Sequence, residues 1–169
     1  MSAIAAEPIS ARRLILVQLR AEHADEMAVV LADPDLYTFT GGSPPTSREL
    51  RGRYQRWIAG SPESAVSWCN WVIQLRAPVR LAGTVQATIS TGDEPLAEIA
   101  WVVGTPWQGQ GIATEAARAL VAWLRHRSVR TVIANIHPRH HASAAVAAAA
   151  GLTATGQIQG GEMTWRLHD

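Results

Sequence analysis

"WVVGTPWQGQGIATEAA", Trp101–Ala117, changes character halfway along. Trp101–Val103 continues a β-branched apolar run, Gly104-Thr105-Pro106 breaks it, and an alanine-rich segment follows Gly109 and Gly111. A strand, a glycine-bearing turn and a helix start therefore fall close together, with almost no charge in the turn. Backbone N–H groups presented by such a turn, backed by the positive end of a helix dipole, form an anion site, and phosphate is the usual anion.

Outward from this stretch the pattern continues on both sides. Ile112, Ala116, Ala119, Leu120, Trp123 and Leu124 recur at helical spacing, which predicts one buried helix face. Upstream, strands are predicted over Arg12–Leu19, Ser67–Leu75, Val79–Ser90 and Ala97–Gly104, with helices over Glu22–Leu31 and Arg48–Gly60. Ala77-Pro78 marks a turn. Downstream, Arg130–His137 reads as a strand and Ala142–Ala150 as a helix closed by Gly151, before short strands near Thr153–Ile158 and Met163–Leu167. No repeat and no long linker interrupts residues 1–169, so one domain of mixed α/β (α+β) class is expected.

Composition narrows the function classes. Hydrophobic residues make up 47% and charged residues 17% of the 169, as in a compact globular chain. The net charge of +1 offers no general attraction to nucleic acid or acidic membranes, and all 15 basic residues are arginine. A single cysteine, Cys69, excludes an internal disulfide framework and suits a reducing cytoplasm. The first residues show no basic segment followed by a long apolar one, so no signal peptide is expected. No apolar run reaches the length of a membrane span.

Which phosphate, then? A dinucleotide turn would need a third glycine where Thr114 stands, and that turn usually opens a domain. A P-loop needs a lysine, and the chain has none. Gln108-Gly109-Gln110-Gly111-Ile112-Ala113 instead matches Q/R-x-x-G-x-G/A. It resembles the acyl-CoA pyrophosphate loop of the GNAT N-acetyltransferase superfamily. "WQGQGIATEAARALVAWL", with Thr114-Glu115-Ala116, is similar to the ribosomal-protein alanine acetyltransferase (RimJ/RimL-like) branch. "IHPRHHASAAVAAAAGL" resembles that branch's second motif, a strand end, N-x-x-S and a helix, and "ARRLILVQLRAEHADEMAVVLADPDLY" resembles its opening strand and helix.

The resemblance implies a mixed, mostly antiparallel central sheet, splayed between the fourth and fifth predicted strands, with helices on both faces. It implies acetyl-CoA as cosubstrate, no metal, and direct attack of an amine on the thioester. Gln108, Gly109, Gln110, Gly111, Ile112, Ala113 and Thr114 would hold the pyrophosphate, and backbone groups of Trp101, Val102 and Val103 the pantetheine arm. Ser143 would assist the departing thiolate, with a plain helix-start serine as the alternative. His140 stands where the motif has asparagine and would also face the arm. Glu98 would serve as general base, against the alternative of an exposed strand residue. A metal site at His137, His140 and His141 is disfavoured, because Pro138 separates them and no carboxylate lies among them. Glu115 reads as structural at the helix start. Arg48, Arg51, Arg53 and Arg56 read as a solvated face, and Trp57, Trp68 and Trp71 as core or acceptor-pocket residues.

The acceptor is expected to be a small-molecule amine or a protein N-terminus, the protein a monomer or homodimer away from membranes. A different acyl-CoA, or an aminoacyl-tRNA (the one route by which nucleic acid enters), is the alternative donor. A non-catalytic CoA-binding module is the other alternative.

Overall fold

The computed structural model describes residues 3–167. Its elements in chain order are β1 (Ile9–Ser10), β2 (Leu14–Gln18), α1 (Ala24–Val30), α2 (Ser47–Ala59), β3 (Val66–Arg76), β4 (Val79–Ser90) and β5 (Leu96–Val103). They continue with α3 (Ile112–His126), β6 (Thr131–Ile136), α4 (His141–Ala149), β7 (Leu152–Gln159) and β8 (Glu162–Leu167). Short 3₁₀ turns precede α1, follow it at Pro34–Tyr37, and lead out of β5 at Thr105–Trp107. The expected elements are all present. The two-residue β1 is an addition, because a strand so short carries no periodicity to read.

All eight strands form one sheet in the order β1-β2-β3-β4-β5-β6-β8-β7. Every pair is antiparallel except β5 and β6, which run parallel. Alternation along the strands sends side chains to two faces. On one face Trp71, Ile73, Val85, Ile99, Val132 and Ala134 pack against α3, and α4 adds Ala147. Trp71 is fully buried there, edge-on to Trp123 at 5.1 Å, with its indole N–H bonded to the Glu7 carbonyl at 2.7 Å. On the other face Val72 and Leu81 meet Met27 and Val30 of α1 and Leu50 and Tyr54 of α2. The helix α2 starts from a capping box in which the Thr46 hydroxyl accepts from Glu49 N at 3.1 Å and the Glu49 carboxylate accepts from Thr46 N at 3.4 Å.

The parallel pair decides where a ligand can enter. Leu96, Ala97 and Glu98 pair with Thr131, Val132 and Ile133, and there the ladder stops. The remainder of β5, Ile99–Val103, stays paired with β4 through Gly83↔Val103, while β6 stays paired with β8. Gly83 permits the first of these allegiances: a Cβ there would lie 2.1 Å from the Val102 carbonyl oxygen. The two strands diverge, and a wedge opens between them.

Candidate functional site

A cavity of about 340 Å³ occupies this wedge and extends under α2. Its lining joins Ile99–Val102 of β5, Ala134–Ile136 of β6, and His137, His140 and Ser143 at the start of α4. The chain between α1 and α2 adds Tyr37 and Phe39, and α2 adds Arg53, Tyr54 and Trp57.

Backbone direction along β5 sorts the residues expected to hold an acyl-CoA arm. The Gly104 N–H bonds the Ala82 carbonyl on β4 at 2.8 Å. Peptide groups alternate sides along a strand, so those of Val102 also face β4, whereas those of Trp101 and Val103 face the wedge. Val102 therefore contributes its exposed side chain to the cavity rather than its peptide group. The Val103 carbonyl accepts from the Gln108 side-chain amide at 3.0 Å, which ties the glycine turn to the strand end.

The turn itself is exposed from Gln108 to Gly111. Gly109 and Gly111 have φ of +73° and +77°, the left-handed region open to glycine. Gln108 N bonds the Thr105 carbonyl and Glu115 N bonds the Gly111 carbonyl. Among the described residues, the turn and cap hydrogen bonds use none of the amides from Gly109 to Thr114. These donors stand at the N-terminus of the 15-residue α3, where the dipole favours an anion. Ile112 itself is buried in the core, and Ala113 packs against it, so only their amides are available. Arg13 braces the turn: its guanidinium donates to the Gln110 carbonyl at 2.8 Å and to Glu115 at 2.7 Å, and its N–H donates to the same carboxylate. Burial alone would raise the Glu115 pKa, but the Arg13 hydrogen bonds and charge hold it below the ordinary value.

At the other wall, His140 Nε2 and Ser143 Oγ lie 3.3 Å apart. The Ser143 hydroxyl is thus engaged with an imidazole rather than with helix N–H groups. The His140 ring stacks on Phe39, centroids 4.7 Å apart, and Phe39 also tilts against His137 at 5.0 Å. Burial, and then the neighbouring His137, hold the His140 pKa below its usual value, so its ring is neutral at pH 7. His137 Nδ1 accepts from Arg139 N at 3.0 Å, and no group of three metal-ligating side chains forms among the described residues.

Glu98 is exposed and lies at the closed end of the wedge, outside the cavity lining. Its carboxylate accepts from the Asn135 side-chain amide at 2.5 Å, while the Asn135 carbonyl oxygen accepts from the Thr164 hydroxyl at 2.7 Å. Asn135 does line the cavity, so Glu98 touches it through one intervening side chain. Cys69 takes no part: it is buried on the α3 face, where desolvation pushes its thiol up to about 11.

Two sequence expectations change. Arg53 is no solvated residue, since it is half-buried and lines the cavity, while Arg48 and Arg56 are exposed and Arg51 faces Asp25. Of the tryptophans, Trp57 reaches the cavity as a wall residue, Trp71 is core, and Trp68 is partly exposed on another part of the sheet. Tyr37, Phe39, Tyr54 and Asn135 were not singled out in the sequence. One signal was present for α2: Leu50, Arg53, Tyr54 and Trp57 fall at i, i+3, i+4 and i+7.

A family model described as "Acetyltransferase (GNAT) domain" matches residues 13–153. No curated protein matches the chain significantly. Among solved structures, an acetyltransferase (GNAT family) from Bacillus anthracis is 19% identical, with a TM-score of 0.79 over 95% of this chain and 98% of its own. The ribosomal-protein-S5-alanine acetyltransferase from Vibrio fischeri is 16% identical, with a TM-score of 0.78 over 95% and 94%. The ribosomal L7/L12 alpha-N-protein acetyltransferase RimL, solved with coenzyme A, is 18% identical, with a TM-score of 0.74 over 95% and 97%. At these identities the likeness shows the fold.

Proposed function

We propose, from the premise that the chain belongs to the acetyltransferase (GNAT) domain family, that it transfers acetyl from acetyl-CoA to a primary amine in a ternary complex. The observation that carries this reading is the wedge between β5 and β6, which opens into the cavity under α2, with β5 followed by a glycine turn whose amides the turn and cap hydrogen bonds leave unspent. Both helical layers pack on the one sheet, which supports residues 1–169 acting as a single domain. No helix among the described residues is long and apolar enough to cross a membrane, and the cytoplasm is the proposed location.

The geometry supports a division of labour. The amides from Gly109 to Thr114 take the pyrophosphate, held in place by Arg13 and Gln108. Peptide groups of Trp101 and Val103 bond the pantetheine arm, and an N–H among them polarises the thioester carbonyl as negative charge builds on its oxygen. Ser143 donates its proton to the leaving sulfur and takes one back from water, and His140 beside it orients the hydroxyl. The attacking amine gives up its proton by way of water to Glu98, which Asn135 holds at the edge of the cavity. A buried cysteine with a raised pKa disfavours a covalent acyl-enzyme.

The test is a thermal-shift titration with acetyl-CoA, followed by mass spectrometry of products formed in extract from labelled acetyl-CoA. A rise in melting temperature with labelled N-acetyl products is expected, because a ligand bound only by the folded state stabilises it. A rise without any product would make the chain a CoA-binding module. No rise would remove the acyl-CoA reading.

A further inference from the structure

The acceptor half of the cavity carries one charge where apolar residues would suffice. Leu50, Tyr54 and Trp57 form the stripe by which α2 faces the sheet, and Arg53 lies on the same stripe. Arg53 as a residue is half-buried, and its guanidinium makes no hydrogen bond or ion pair among the described residues. Two phenols share its corner. The Tyr37 hydroxyl donates to the Leu31 carbonyl at 2.9 Å, whereas the Tyr54 hydroxyl is buried with no partner among the described residues. Burial pushes the Tyr54 phenol up to about 12, and the Arg53 charge acts against that rise at both tyrosines. Glu162 is the one carboxylate in the lining, and it sits at the start of β8, beyond β6 from α2.

We propose that the acceptor is a small primary amine of amino-acid type: an apolar or aromatic body bearing a carboxylate that pairs with Arg53. The inference rests on the acyl-CoA reading and names the substrate class of that same site. A guanidinium without an anion is a cost to the binding of any ligand that covers it, and a carboxylate converts that cost into a charge-assisted, bidentate contact. Phe39, Trp57, Leu31 and Leu36 offer apolar surface for the body of the molecule, and Asn70 and Gln86 a polar floor. Polycationic amines are disfavoured by the same charge. They would bring further positive groups toward Arg53, while the one carboxylate of the lining, Glu162, lies at the start of β8.

The experiment compares initial acetylation rates, with acetyl-CoA saturating, for phenylalanine, leucine and methionine, each against its own amide, with spermidine as the polycation. A kcat/KM about 10- to 100-fold higher for at least one acid over its amide is expected, the worth of one hydrogen-bonded charge. Arg53→Gln should erase that preference by raising KM for the acid more than for its amide. Arg53→Lys should keep part of it. The acetyl-CoA thermal shift of each variant shows that it is folded and still binds cosubstrate. Equal rates for acid and amide, faster use of spermidine, a preference that survives Arg53→Gln, or no turnover of any acid overturns the inference. With the parent's thermal shift intact, each of these results leaves the acyl-CoA reading standing. A parent without that shift loses both.

Discussion

The two banks of the wedge are built differently. On the turn side, binding groups are backbone amides arranged by Gly109, Gly111 and the start of α3 within a few residues of one another. On the α2 side they are side chains of Tyr37, Phe39, Arg53, Tyr54 and Trp57, assembled from elements that the fold brings together. A backbone site recognises what every acyl-CoA shares, and it tolerates little change because glycine conformation creates it. A side-chain site can be rewritten one residue at a time. Under the proposed acetyl transfer, the turn serves the part of the reaction common to every acyl-CoA, and the α2 side its selectivity.

Gly111→Asp tests the turn bank and should have the largest effect. It puts a Cβ 3.2 Å from the Arg13 guanidinium, at a φ of +77°, and sets a carboxylate where the pyrophosphate should lie. The acetyl-CoA thermal shift should disappear while the variant still melts cooperatively; an undiminished shift would remove the phosphate-loop assignment. Next in size, Ser143→Ala should lower kcat on the order of 100-fold with CoA affinity nearly intact, as expected for loss of a general acid. Full turnover would leave Ser143 with no chemical role. Glu98→Gln should cost less, about tenfold, because the carboxylate works through water. Its defect should shrink as pH rises and the free amine needs less help, and a defect equal at every pH would move the base elsewhere.

The same contrast explains what could be read without coordinates. Elements from β3 to β8 follow local patterns: alternation in Val79–Ser90, the helical stripe from Ile112, and glycine at the end of α4. The turn motif is contiguous, so its geometry, two left-handed glycines ahead of a helix, was legible too. The side-chain bank was not, since Phe39 meets His140 across 101 positions and nothing local announces the contact. Arg53 was misread because four arginines in one helix suggested solvation, although only the spacing from Leu50 to Trp57 tells which of them turns inward. The peptide direction at Val102 needed the Gly104 hydrogen bond to β4, which fixes the alternation.

Smaller effects probe the α2 bank. Tyr54→Phe removes a buried hydroxyl that lacks a partner, so the free protein should gain about 1 kcal/mol, or roughly 2–4 °C in Tm. A lower Tm would reveal an undetected partner for that hydroxyl. The smallest signal concerns pH. His140 and His23 both titrate below the ordinary 6.5 when folded, because burial penalises their charged forms. The unfolded chain then binds protons more readily, so their contribution is full above about 6.5 and is lost as pH falls through the lower folded values. Tm should decline on acidification through this window, and His140→Asn should flatten the decline; an unchanged slope would contradict a half-buried His140 whose charged form is penalised.

The central claim is that the divergence of β5 from β6 and the turn that follows hold one acyl-CoA molecule. Two-dimensional amide NMR of the labelled protein, titrated with acetyl-CoA, tests it most directly. The account predicts that the amides of Trp101, Val103 and Gly109–Thr114 shift together with a single saturation curve, while β1 and β2 stay unchanged. Saturable binding that leaves those amides still and moves resonances elsewhere, or no binding at all, would contradict it.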